Sequence, residues 1–243
     1  KYWKLGLRNN GFIQLKVSYS YYEVYNNALR AFRGLNFPYG PDEDAAYIIA
    51  CLELYNLNGL NILADNLDKY DQNFDGKIKF NLSSNSFNLK NKISLMVAPG
   101  LTDYIISQMD KNNKISFELK NCSYFIFFIP IFIRIIRKKI FTSVKYQNYY
   151  IFNINEKKLS ISNCLTKNFF LKDNFNITFS KKNNQFENLD INLKLSSSSD
   201  QLSKGINPSI NDWEKISEIA FRTYVPESDV SRKKGAGGGD DND

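Results

Sequence analysis

The stretch Phe186-Glu-Asn-Leu-Asp-Ile-Asn-Leu-Lys-Leu195 decides how this chain is read. Leu189, Ile191, Leu193 and Leu195 alternate with polar residues. Side chains of a strand point to opposite faces in turn, so the spacing predicts a strand with one apolar and one wet face. Antiparallel sheets tolerate a solvated face, whereas parallel sheets under helices do not.

Working towards the start of the chain, period two recurs. Strands are expected at Lys77–Leu82, Ile93–Ala98, Lys114–Leu119, Lys145–Ile154, Leu159–Asn163 and Asn174–Ser180. Pro99–Met109 reads as a helix opened by its proline. Tyr124–Ile133 (YFIFFIPIFI) is the greasiest segment. It falls well short of the roughly 20 apolar residues that a membrane-spanning helix needs. Its Phe and Ile content predicts two short buried strands joined at Pro130. The basic run Arg134, Arg137, Lys138 and Lys139 that follows reads as a solvated strand end.

Both flanks are helical. Ser20-Tyr-Tyr-Glu23 fits a capping box, and Val24, Ala28, Ala31, Phe32 and Leu35 then share one face, with Gly34 suited to the cap. Pro41 opens a second helix with Asp42, Glu43 and Asp44 in its first turn, where they complement the helix dipole. Ala45, Ile48, Ile49, Leu52 and Tyr55 form its apolar stripe and Gly59 ends it. A third helix is expected over 60–67. Ser196–Asp200 reads as a polar linker. From Asn211, the residues Trp213, Ile216, Ile219 and Ala220 form a last helical face, stopped by Pro226. Helices, then strands, then a helix predict an α+β fold with a largely antiparallel sheet. Residues 16–225 are expected to form one domain: a helical part at 16–69, a strand-rich part at 70–195 and a helix at 211–225. Residues 1–15 read as a leader or a truncated start, since the chain does not open on Met.

Composition bounds the chemistry. The 243 residues are 43% hydrophobic and 15% aromatic, enough apolar material for a core. The net charge of +7 and pI near 9.1 admit an anionic partner, but the lysines are spread thinly, which makes nucleic-acid binding unlikely. There is no histidine, which removes imidazole-based catalysis and imidazole metal ligands. Any general acid or base must be Asp, Glu, Lys, Tyr or Cys. Cys51, Cys122 and Cys164 are far apart and form no C-x-x-C pair, so they read as reduced, buried thiols of a cytoplasmic protein.

Motifs narrow the field further. Asp71-Gln-Asn73-Phe-Asp75-Gly76-Lys-Ile78 opens like a calcium loop. Lys79 and Leu82 then occupy positions that need oxygen ligands, so the stretch reads as an Asn/Asp/Gly turn entering a strand, and no metal site is expected. No P-loop and no G-x-G-x-x-G between a strand and a helix points to a cofactor.

The segment from Arg222 onwards is unusual. Arg222, Tyr224, Ser228, Ser231 and Arg232 could donate to an anion. Gly235 and Gly237 would let backbone amides approach a ligand. Asp240, Asp241 and Asp243 could hold a hard cation or a basic partner. Residues 226–243 are thus expected to form a glycine-rich acidic tail. If the chain is an enzyme, Asp240, Asp241 and Tyr224 are its acid/base candidates.

Two stretches carry a resemblance. Val17-Ser-Tyr through Ala28-Leu-Arg-Ala-Phe-Arg-Gly34 to Leu57-Asn-Gly59-Leu60, and Trp213 through Arg222-Thr-Tyr-Val-Pro-Glu-Ser228 to Asp241-Asn-Asp243, resemble a bacterial family known as domain of unknown function 3726. The segment between Gly237 and Asp241 is slightly shorter than that family's pattern. The likeness implies that the tail is a family feature, and it implies no activity. The N-terminal helices, through Val17-Ser-Tyr, Glu43-Asp-Ala45 and Leu57-x-Gly59-Leu60, also resemble the malate/L-lactate/sulfolactate dehydrogenase family. That family uses a nicotinamide cofactor and a Ser-His-Gly motif with a catalytic histidine. Asn61-Ile-Leu63 stands in its place here, so this resemblance implies a non-catalytic relative or subunit. The expected function is a cytosolic accessory or small-molecule-binding protein, with a protein partner or a homo-oligomer possible. The alternative is a histidine-independent enzyme acting on an anionic metabolite.

Overall fold

The computed structural model describes residues 18–90, 92–147, 149–164, 173–182, 189–195 and 197–224. Four helices lead: α1 (Tyr21–Gly34), α2 (Pro41–Leu54), α3 (Gly59–Ala64) and α4 (Leu67–Tyr70). Strands β1 (Phe80–Asn81) and β2 (Ser86–Asn88) precede α5 (Ser94–Lys111) and β3 (Lys114–Cys122). A short 3₁₀ turn (Phe125–Phe128) runs into α6 (Ile129–Ile135). Then come β4 (Phe141–Tyr146), β5 (Tyr149–Ile154), β6 (Lys158–Ile161), β7 (Asp173–Ser180), β8 (Ile191–Lys194), α7 (Ser197–Lys204) and α8 (Ile210–Phe221).

The strands form one sheet in the order β1-β2-β3-β7-β4-β5-β6-β8. Among the described strands, β2 and β3 pair in parallel and the other neighbours pair antiparallel, so the fold is α+β. Register follows side-chain period. Phe175, Ile177 and Phe179 of β7 lie opposite Leu119, Phe117 and Ile115 of β3 and make the buried face, while Asn174 and Asn176 face out. Helices α5 and α6 pack against that sheet, and α1, α2, α3 and α8 form a helical layer sharing the same hydrophobic cluster.

Capping decides the first helix as expected: Ser20 Oγ accepts from the Glu23 amide, and the Glu23 carboxylate reaches back to the Ser20 amide at 2.7 Å. Pro41 is the first residue of α2. Several expectations are corrected. Tyr124–Ile133 is not a pair of strands but the 3₁₀ turn and the start of α6. A run that is apolar on every side has no periodicity to separate buried strand from buried helix. Pro130 lies in the first turn of α6, where its missing N–H costs nothing. Ile93–Ala98 is likewise not a strand: α5 begins at Ser94 and carries Pro99 inside it. Lys145–Ile154 is a hairpin, β4 and β5, turning at Gln147 with φ of 52°. Lys77–Leu82 shrinks to the two residues of β1. Ser196–Asp200 is not a linker, since α7 starts at Ser197. Gly59 opens α3 instead of ending α2; an added Cβ there would meet the Ile49 carbonyl oxygen at 2.5 Å.

Among the described residues, no helix is long and apolar enough to cross a membrane. Cys51 and Cys122 are buried and Cys164 is part-buried, and all three are free thiols. Burial pushes the Cys51 and Cys122 thiols up to about 12, so neither is poised as a nucleophile.

Candidate functional site

Two elements from opposite ends of the described chain build one groove. Tyr19 and Ile206 exchange backbone hydrogen bonds of 2.8 and 2.7 Å, and the Tyr19 ring stacks on Trp213 at 3.7 Å. Asn27 Nδ2 donates to Ser217 Oγ at 3.1 Å. These contacts lay α8 along α1. Gly34 lets the two helices close fully, because an added Cβ would stand 2.3 Å from the Ile219 carbonyl oxygen.

That crossing delivers Arg222, Thr223 and Tyr224 to the last turn of α1. They meet Arg30, Arg33, Asn36, Tyr39 and Gln72 around a cavity of about 580 Å³. The Gln72 amide donates to the Leu35 carbonyl at 3.1 Å, which ties the turn after α4 to the end of α1.

Three guanidiniums line the groove, and two are held from behind. Arg33 Nε donates to Asp42 at 2.8 Å, and the Asp42 side chain is fully buried. This hydrogen bond raises the Arg33 pKa, keeping it charged at any working pH. Arg222 binds Asp71 at 2.7 Å, and its hydrogen bond holds the Asp71 carboxyl below the usual carboxylate range. Each of the two arginines spends one donor group on its carboxylate, out of five N–H donors. Arg30 is different: it is exposed and has no carboxylate ion pair among the described residues. It donates to the Tyr224 hydroxyl and lies over the Tyr224 ring, 5.2 Å from its centroid. The three guanidiniums line the cavity itself, whereas Asp42 and Asp71 are not among its lining residues.

Of the residues singled out from sequence, Arg222 and Tyr224 stand in this groove. Ser228, Ser231, Arg232, Gly235, Gly237, Asp240, Asp241 and Asp243 lie outside the described residues. Sequence reasoning missed Arg30 and Arg33. The available signal was their spacing of three on a helix, which puts both on the flank away from Ala28, Ala31 and Phe32. It also missed the work of Asp71. Within the would-be calcium loop, Asp71 binds Arg222 while Asp75 binds Lys92, so the two carboxylates serve separate cations.

A second, smaller pocket of about 260 Å³ lies at the start of α3, lined by Glu53, Asn58, Asn61, Ser209 and Asp212 among others. Glu53 Oε1 accepts from the Leu60 amide at 2.7 Å, and Asp212 accepts from Asn61 at 3.2 Å. Burial, with the nearby Asp212 charge adding to it, raises the Glu53 carboxyl pKa. Asn61, the residue in the place of the dehydrogenase motif, thus faces this pocket.

Comparison with known proteins follows the fold. Residues 19–87 match the model of a family described as protein of unknown function (DUF3726). The match runs from α1 into β2 and leaves out α8; the second stretch of resemblance, from Trp213, lies beyond it. No curated protein matches the chain. Among solved structures, the chain is similar to malate dehydrogenase from Pyrococcus horikoshii OT3, with a TM-score of 0.58 and 10% identity over 90% of this chain and 99% of that one. At that identity the likeness speaks for the fold.

Proposed function

We propose that this chain is a small-molecule-binding protein that takes an anionic metabolite into the groove between α1 and α8, acting as a binding or accessory component. The observation that carries the reading is Arg30, an exposed guanidinium without a carboxylate partner among the described residues, lining one cavity with two arginines that are already anchored. A carboxylate or phosphate entering the groove would meet fixed donors, and charge-assisted hydrogen bonds are the strong ones. The likeness in fold to a malate dehydrogenase supports a metabolite-handling origin, and the absence of histidine from the sequence favours binding over that enzyme's chemistry.

Calorimetric titration with orthophosphate, pyrophosphate and a four-carbon dicarboxylate tests the reading. The wild-type chain is expected to bind at least one of them, and Arg30→Gln to weaken it about tenfold or more. No binding by any of the three, or equal binding by the variant, overturns it.

A second reading, a histidine-independent enzyme, is favoured by one observation: Glu53 and Asp212 face one pocket with the Glu53 carboxyl pKa raised. A carboxyl kept protonated by burial is one way a pocket supplies a general acid. Turnover of a metabolite library that vanishes in Glu53→Gln would support it; turnover unchanged by that substitution would remove it.

A further inference from the structure

The arginine groove has a neighbour. A further cavity of about 390 Å³ is lined by residues of α1 and α8, and Arg30 and Tyr224 line both it and the groove. Three aromatic side chains, Tyr22, Trp213 and Phe221, line it, and Glu23 and Asn27 lie beside them. Tyr22 is 70% exposed, Phe221 66% and Tyr224 51%, and no core demands them there. The Phe221 and Tyr224 rings sit 5.4 Å apart in a tilted pair. Asn26 and Ser217 add polar groups at the base.

We infer that the ligand of the groove is an aromatic anion, with its acidic group on Arg30 and its ring in the cleft between Tyr22 and Phe221. This rests on the anion reading and names its substrate class. Two facts carry it. The cationic and aromatic lobes meet at one residue pair, so a single small molecule reaches both. Arg30 is also held by the Tyr224 ring and hydroxyl, which aims its guanidinium at the junction of the lobes. Exposed aromatic side chains grouped around a cleft are a recognised mark of a binding surface, and ring-on-ring contact adds affinity beyond the area it buries. An aliphatic anion would use the first lobe alone.

The test compares matched probes on the full chain: phenyl phosphate against methyl phosphate, and phenylpyruvate against pyruvate, by calorimetry. In at least one pair the aromatic member is expected to bind about 5-fold tighter or more. Phe221→Ala and Phe221→Leu, both at an exposed position, should cut that ratio towards one by weakening the aromatic member of the pair. The leucine variant keeps apolar bulk and removes the ring. Equal affinities within both pairs, or a ratio untouched by both variants, would overturn the aromatic inference and leave the anion reading standing. Failure of all four probes to bind would likewise overturn the aromatic inference, and the anion reading would then be judged by the orthophosphate, pyrophosphate and dicarboxylate titrations.

Discussion

A methyl group on Gly34 would stand 2.3 Å from the carbonyl oxygen of Ile219. The clash is with backbone, which cannot swing aside, so α1 and α8 can only cross this closely over glycine. Gly34→Ala is therefore expected to lower stability by about 1–3 kcal/mol through overpacking. It should also weaken anion binding, because Arg222 and Tyr224 ride on the displaced end of α8. Urea unfolding and calorimetry on the same preparation check both. A variant of wild-type stability and affinity would mean that the crossing is not needed.

Removing a carboxylate from beside the groove should act in the opposite sense to removing a cation. Asp71→Asn frees Arg222 from its 2.7 Å ion pair. Pyrophosphate is expected to bind about 2–5-fold tighter at low salt, an advantage that fades as salt screens the exposed charges. Weaker binding would show that Asp71 matters mainly by holding Arg222 in position.

Glu53 supplies a pH test. Its folded-state pKa is raised, first by burial and then by Asp212, against the lowering effect of the Leu60 amide. Stability from the neutral carboxyl is present below the unfolded-state value and is lost as pH rises through the folded-state value. Glu53→Gln keeps the acceptor for Leu60 and removes the charge. Its melting temperature should match wild type near pH 4, and exceed it at pH 7. A variant less stable than wild type at pH 7 would show the ionised carboxylate to be favourable there.

Phe132 anchors the joint between helices and sheet. It is fully buried and packs against Phe125, Phe128, Phe152 and Phe179 with ring centres 5.4–6.1 Å away. Phe132→Ala should cost about 3–5 kcal/mol in denaturant unfolding. A loss under about 1 kcal/mol would mean that this aromatic cluster is loosely packed.

Local chemistry made much of this molecule legible in its sequence. The capping box at Ser20 and Glu23, the proline that starts α2, and the alternation of Ile191 and Leu193 each report a backbone state through nearby atoms alone. So does the α+β order of elements. Other features needed tertiary structure. The residues of Tyr124–Ile133 are apolar on all sides, and only their packing inside the core chose helix over strand. The groove is less legible still. Arg30 and Tyr224 are separated by 194 positions, and Asp71 and Arg222 by 151. No local pattern encodes a contact between residues so far apart in the chain. The sequence by itself determined the charges, the missing imidazole and the glycine that permits a close crossing. Only the folded chain decided which cations share a cavity, because that depends on how two helices lie against each other.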